Sequence, residues 1–276
     1  MFNVVHTDEA WFYLIVHGQK IRVFPVEDMP GAPELQHKSH VPKVTLHVFV
    51  VANGRPNPDK NFDGMVEIGR VCVKEAKRTS KNRNRGEEYE CDVAIEAEWY
   101  RTWYTTHLSP AIRHKMPWMR GGSVSVQQDA ATPHTGKGNL ERLSEEENRQ
   151  GFHIKLGTQP AQSTDLHIND LGLFRYLKTR VMGARYDAVQ ELVGGVFKEY
   201  EEYDAKVMER VWQSLFKVYN SVLVAKGSND FSLHSGIKVA QKAGKLTKRV
   251  KIDREAFSKA MKFLTDVDSD GTVDSS

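Results

Sequence analysis

The chain reads as an α/β fold in which a mixed sheet is flanked by helices, and three observations predict it. Short runs of β-branched and aromatic residues near the start are bounded by Gly, Pro, Asn and Asp, as strands are. Helix-like and strand-like segments then alternate between about residues 93 and 180. Beyond residue 180 the apolar spacing is helical throughout.

Taken in order, residues 2–16 alternate toward a first strand that contains Asp8, and His17-Gly18-Gln19-Lys20 supplies a turn. Residues 21–26 return as a second strand, closed by Pro25 and the loop around Pro30 and Pro33. Residues 44–51 form a third. From 53 to about 90 the chain is rich in Gly, Pro, Asn and basic residues, a long excursion in which only 65–73 has strand character. Residues 93–116 place Ile95, Trp99, Trp103, Leu108 and Ile112 at a roughly helical spacing that Pro117 ends. Gly121-Gly122 leads into a strand closing at Asp129, residues 152–156 give another, and a helix opens at Asp170.

Three antiparallel strands, a helix, a strand, a helix, a strand and a helix is the order of an RNase H-like α/β fold. That order brings Asp8, Asp129 and Asp170 to one edge of the sheet. Further helices are expected over 187–200, over 253–264, and from Asp204, whose side chain can cap a stripe formed by Val207, Met208, Val211, Trp212, Leu215, Phe216, Tyr219 and Val222 before Gly227. The expected division is a catalytic domain over 1–180 and a helical extension over 181–276 that carries a basic segment and ends in a disordered acidic tail.

Composition excludes several classes. The chain has 276 residues, 39% of them apolar and 27% charged. No run approaches the ~18 apolar residues of a membrane span, and the first residues resemble no signal peptide, so an intracellular protein is expected. Cys72 and Cys91 are the only cysteines, too few for a disulfide framework, and no Cys-x-x-Cys pairing supports structural zinc. The net charge of +3 is small but unevenly spread. Lys74, Lys77, Arg78, Lys81, Arg83 and Arg85 oppose only Glu75, and Lys238, Lys242, Lys245, Lys248, Arg249, Lys251 and Arg254 oppose only Asp253. Phosphate contacts or a nuclear import signal explain both segments, as do a solvated loop and tail.

Clustered carboxylates repel one another unless cations lie between them, and an oxygen-rich site suits Mg²⁺ or Mn²⁺. A two-metal phosphoryl-transfer site is the natural use of Asp8, Asp129 and Asp170. Plainer roles are a strand-end turn for Asp8 and helix caps for Asp129 and Asp170. Asp165 rivals Asp170 as the third ligand. Glu9 lies on the strand face opposite Asp8 and is expected outside the site. His134 either approaches the site or packs under a helix. The run Asp266-Val267-Asp268-Ser269-Asp270-Gly271 matches half of an EF-hand loop but lacks its bidentate glutamate, and belongs to the expected disordered tail.

Three blocks also carry a family resemblance: His6-Thr7-Asp8-Glu9-Ala10-Trp11-Phe12, Gln127-Gln128-Asp129-Ala130-Ala131-Thr132-Pro133-His134, and 163–174, Ser-Thr-Asp-Leu-His-Ile-Asn-Asp-Leu-Gly-Leu-Phe. In order and spacing they resemble the signature blocks of mariner-type DNA transposases of the Tc/mariner superfamily. The 40 residues 130–169 between the last two aspartates are closer to the plant-like branch. The blocks depart from the family pattern at Ala130, Thr164 and His167. The resemblance implies that Asp8, Asp129 and Asp170 hold two Mg²⁺ or Mn²⁺ ions and that the protein cleaves double-stranded DNA and transfers the strand, with no protein nucleophile. It makes Asp170 rather than Asp165 the third ligand. It further implies a nuclear protein acting as a homodimer, with 25–42 in the position of the family's clamp loop. Low-specificity DNA contacts are expected from Lys77, Arg78, Lys81, Arg83, Arg85, Lys245, Lys248 and Arg249. Only seven residues precede Asp8, where the family carries helix-turn-helix modules, so a truncated copy is expected. The alternative is a catalytically inactive, transposase-derived DNA-binding or interaction protein.

Overall fold

The computed structural model describes residues 3–14, 43–51, 64–70, 73–90, 95–135, 151–160, 163–184, 186–228, 230–232, 236–245 and 250–270. The expected strand 21–26, the clamp-loop position 25–42, both cysteines, Lys248 and Arg249 lie outside them. The described residues form two compact units.

The first unit is built on strands β1 (Val4–Tyr13), β2 (Lys43–Val51), β3 (Met65–Arg70), β6 (Ser123–Gln128) and β7 (His153–Thr158), in the spatial order 3-2-1-6-7. β3, β2 and β1 pair antiparallel, whereas β1–β6 and β6–β7 are parallel. Among the described residues the antiparallel trio is β1, β2 and Met65–Arg70. Parallel neighbours require a crossover, and here it includes a helix that covers one face of the sheet. That helix runs as α1 (Ala97–Trp103), a π-turn (Tyr104–Leu108) and α2 (Ser109–Lys115). Its Trp103, Tyr104, Leu108, Ile112 and Met116 pack with Val5, Val66, Val124, Val126 and Ile154 in one apolar cluster.

The π-turn has a physical cause in the burial pattern. Tyr100, Tyr104, Leu108 and Ile112, four residues apart, are all fully buried. In an unbroken α-helix each step of four overshoots a full turn by about 40°, so the stripe would drift off the sheet, and the wider turn takes up the drift. After α2, Pro117 starts the short turn Pro117–Met119, consistent with a helix end there. Two further helices, α4 (Phe174–Val181) and α5 (Val189–Glu201), pack on each other, α5 touches β2, and the Tyr200 hydroxyl donates to the Glu67 carbonyl at 2.9 Å.

The excursion after β3 is more ordered than its composition suggests. Val73–Glu75 (β4) and Glu88–Glu90 (β5) pair as an antiparallel ribbon, and the Arg83 guanidinium lies 4.0 Å from the centre of the Tyr89 ring. Asn84 N–H donates to Glu87 Oε2 at 2.8 Å and Arg85 N–H to Thr79 Oγ1 at 3.2 Å. Lys74, Lys77, Arg78, Lys81, Arg83 and Arg85 are all exposed on this ribbon.

The second unit centres on α6 (Ala205–Val224), which buries Met208, Val211, Trp212, Leu215 and Val218. Asp204 caps it, its Oδ1 accepting from Lys206 N–H at 2.9 Å, and Gly227 at φ +88° closes it with N–H to the Val222 carbonyl at 2.8 Å. α7 (Ile237–Lys242) and α8 (Arg254–Asp270) pack against it. α8 continues through Asp266–Asp270, so these five residues of the acidic stretch are helical; Gly271 and the residues after it lie outside the described ones. Among the described residues no helix is long and apolar enough to cross a membrane.

A Cβ on Gly69 of β3 would lie 2.3 Å from Trp103 Nε1, inside the space of a buried ring. Gly69→Ala should therefore overpack the helix against the sheet and cost about 1–3 kcal/mol, read as a lowered urea midpoint in equilibrium unfolding.

Candidate active site

The parallel register of β1 and β6 sets the site. Val4, Val5 and His6 pair with Ser125, Val126 and Gln127; two residues further on, the same register puts Asp8 level with Asp129. Adjacent strands lie about 4.8 Å apart, so the first unit carries two carboxylate-bearing positions side by side, Asp129 just beyond the C-terminal end of its strand. Asp8 Oδ1 accepts the Glu9 N–H at 2.7 Å.

Asp129 is tied from two sides. Its Oδ1 accepts the Ala131 N–H at 3.0 Å, a turn that leads into the short helix α3 (Thr132–Thr135), so the capping role expected as the plainer alternative is partly realised. The same Oδ1 lies 2.6 Å from His134 Nδ1. His134 Nε2 in turn lies 2.8 Å from Glu9 Oε1. The expectation for Glu9 is corrected here: its face of β1 points away from Asp8, yet the face is where α3 places His134, and the imidazole links Glu9 to Asp129. His134 both packs and reaches the site.

Beneath the imidazole lies a polar floor. The Tyr100 ring centre is 4.6 Å from that of His134, the Tyr100 hydroxyl hydrogen-bonds to Gln128 Oε1, and Gln128 Nε2 donates to the His134 carbonyl at 3.5 Å. Tyr100 and Gln128 are fully buried and His134 is 2% exposed. A neutral imidazole has one N–H, so a ring held between two carboxylates at these distances donates to both only as the cation. Burial alone would lower the His134 pKa, but the hydrogen bonds to Asp129 and Glu9 and their charges outweigh it and raise it to about 10. The His134 hydrogen bond holds Asp129 below the ordinary carboxylate range, against the opposing effect of burial. Burial, then the charges of Glu9 and Asp129, push the Tyr100 phenol up, so it stays protonated.

In the second unit, Asp165 is half-buried in the turn Thr164–Leu166, and Asp170 is exposed on the π-turn Asn169–Leu173. His167 and Asn169 between them are fully buried. The segment rests on α6: the Tyr219 hydroxyl donates to the Leu166 carbonyl at 3.4 Å, and a Cβ on Gly172 would lie 2.5 Å from Val211 Cγ2. Only glycine permits that approach. Of the expected nucleic-acid contacts, Lys77, Arg78, Lys81, Arg83 and Arg85 share the ribbon of the first unit, and Lys245 is exposed in the second.

No family model matches the chain, and no curated protein matches it. Solved structures do. A pre-cleavage Mos1 transpososome superimposes with a TM-score of 0.58 at 16% identity, covering 84% of this chain and 57% of that one. The Mos1 mariner paired end complex with Mn gives 0.55 at 18% identity, covering 84% and 57%. The catalytic domain of Mos1 mariner transposase gives 0.53 at 17% identity, covering 84% and 85%. The chain thus spans a little over half of the transposase chains in the two complexes. The likeness is one of fold: the RNase H-like mixed sheet flanked by helices is that of the Mos1 catalytic domain.

The raised His134 pKa makes stability depend on pH. A histidine whose folded value, about 10, exceeds its ordinary 6.5 contributes stability present below pH 6.5 and lost as pH rises toward 10. Asp129, lowered on folding, contributes stability present above the carboxylate range and lost as pH falls through it. The melting temperature should therefore fall from neutral pH to about 10, and His134→Phe should flatten that fall in circular-dichroism melts.

Proposed function

We propose that the chain is a mariner-type transposase catalytic unit, of the plant-like branch by its Asp129–Asp170 interval, that cleaves and joins double-stranded DNA with Mg²⁺ or Mn²⁺. What supports this reading is the parallel register of β1 and β6, which carried two residues past its last pair brings Asp8 level with Asp129, in a sheet with the Mos1 catalytic-domain fold. Two carboxylates at strand spacing repel unless a cation or cationic group compensates. His134 compensates one oxygen of Asp129, and the remaining donors are those of a divalent-ion site.

The donor chemistry fits such an ion. Asp8 and Asp129 of the first unit offer carboxylate oxygens, and the sequence resemblance adds Asp170. A set of carboxylates suits a divalent cation of the Mg²⁺ or Mn²⁺ kind. The neighbouring structures include a Mos1 mariner complex with Mn and another with Mg. Two ions, when bound, would activate the attacking oxygen and stabilise the leaving 3′ oxygen. This chain's own part is to hold Asp8 within β1 and Asp129 just past the end of β6, with the phenol and amide of Tyr100 and Gln128 keeping the floor rigid. The choice of Asp170 over Asp165 as the third carboxylate rests on the sequence resemblance. The homodimer and the nuclear location rest on the sequence resemblance alone.

DNA enters by its phosphates. The ribbon Val73–Glu90 presents five or more exposed cations on a short framework, and Arg83, stacked on Tyr89, is held outward. Binding to duplex DNA should weaken with salt at a log–log slope near −0.9 per neutralised phosphate. Replacing Lys77, Arg78 and Lys81 by Ala should flatten that slope in fluorescence-anisotropy titrations; an unchanged slope would remove the ribbon from the interface.

The activity itself is tested by nicking of supercoiled plasmid with Mn²⁺. Asp129→Asn keeps the shape and loses the charge, and should reduce nicking by more than about 100-fold, beyond the 10–100-fold typical of groups that only support a ligand. Nicking unchanged in Asp129→Asn would remove the carboxylate site from the reaction, whereas no nicking by the parent chain would favour the non-catalytic, DNA-binding protein.

A further inference from the structure

We infer that His134 is a positioning residue for Asp129: the imidazole, anchored at its far nitrogen by Glu9, fixes the carboxylate so that Oδ2 is the oxygen offered to a divalent cation. This rests on the reading of Asp129 as a metal ligand.

The inference stands on geometry. Among the described residues both hydrogen bonds made by Asp129 fall on Oδ1, from Ala131 N–H at 3.0 Å and His134 Nδ1 at 2.6 Å. One bond leaves a carboxylate free to swing about its χ angles; two from different directions define its plane. Oδ2 is then the oxygen with coordinating capacity to spare. The imidazole is itself immobilised, 2% exposed, packed on the Tyr100 ring at 4.6 Å, and bonded to Glu9 at 2.8 Å. Glu9 thereby has a role that its strand face alone denies it, orienting the residue that orients Asp129. Asp129 is 38% exposed at its side chain while its holder is almost wholly buried. That is the arrangement expected of a working carboxylate on a rigid support.

The two nitrogens can be tested separately, because Asn places its amide near the position of Nδ1 and Gln places its amide near that of Nε2. His134→Asn keeps a donor toward Asp129 and gives up Glu9. His134→Gln keeps a donor toward Glu9 and gives up Asp129. The measurement is Mn²⁺ affinity, from the electron paramagnetic resonance signal of free Mn²⁺, with the melting temperature taken alongside.

The expected result is that His134→Gln weakens Mn²⁺ binding about tenfold or more, the scale typical of a group that supports a metal ligand, and His134→Asn stays within about threefold of the parent. Equal losses in both variants, or none in His134→Gln, overturn the inference and leave His134 as packing. Asp129→Asn keeps the two failures apart: if it leaves Mn²⁺ binding unchanged, the ligand reading of Asp129 fails and the positioning role falls with it. If it weakens binding and His134→Gln does not, only the positioning role fails.

Should His134→Gln not fold, a second measurement needs no substitution. In the ¹⁵N spectrum of the histidine ring, saturation with Mg²⁺ should move His134 Nδ1 and leave Nε2 nearly in place. An Nδ1 resonance that does not move overturns the inference.

Discussion

The parallel pairing of β1 with β6 is the constraint on which the rest depends. A parallel pair cannot be joined by a tight turn, so the chain must cross the sheet, and the helix of that crossover supplies the apolar cover for Val5, Val124 and Val126. The same pairing decides which residues are neighbours at the strand ends. Side chains alternate along each strand, so a slip of one residue would pair Asp8 with a different face of its neighbour. The register that buries Val5 beside Val126 is thus the register that levels Asp8 with Asp129. Stability and site geometry are one choice here.

Beside that pairing one group of polar side chains is brought under cover as a bonded network. Glu9, His134 and Asp129 form a chain of carboxylate, imidazole and carboxylate, and Tyr100 and Gln128 close it from below. Each buried member has a partner, the condition under which a polar network specifies one arrangement instead of weakening the core. Its net charge is also informative. One cation between two carboxylates leaves an excess negative charge at the surface end, where Asp129 is open to solvent, and that end favours an approaching cation.

Much of this was legible in sequence for identifiable reasons. β1, β2 and β6 show as apolar runs because each has at least one buried face, and Asp8 and Asp129 stand out because a carboxylate in or at the end of such a run is costly. Asp204 and Gly227 mark both ends of α6 because caps act locally. The Glu9–His134 bond was not legible, since it joins residues 125 apart. The rule of alternating faces says only which side Glu9 occupies, not what covers that side. The ribbon at 73–90 was hidden because its strands are three residues long and mostly charged, held by turn hydrogen bonds more than by burial. At the C-terminus, closely spaced acidic residues suggested a disordered tail, yet α8 runs through Asp266–Asp270.

The π-turn in the crossover helix has a consequence for how this protein can change. A helix that buries every fourth residue stays on its sheet only because one turn holds an extra residue, so the segment from Tyr104 to Leu108 fixes a count as well as a composition. Thr106 and His107 are exposed and open to many replacements. Regular α-helical winding over the same number of residues would turn everything after them, swinging Ile112 and Met116 away from the strands they cover. Replacements that keep the wider turn therefore leave the core in place, whereas those that straighten it do not.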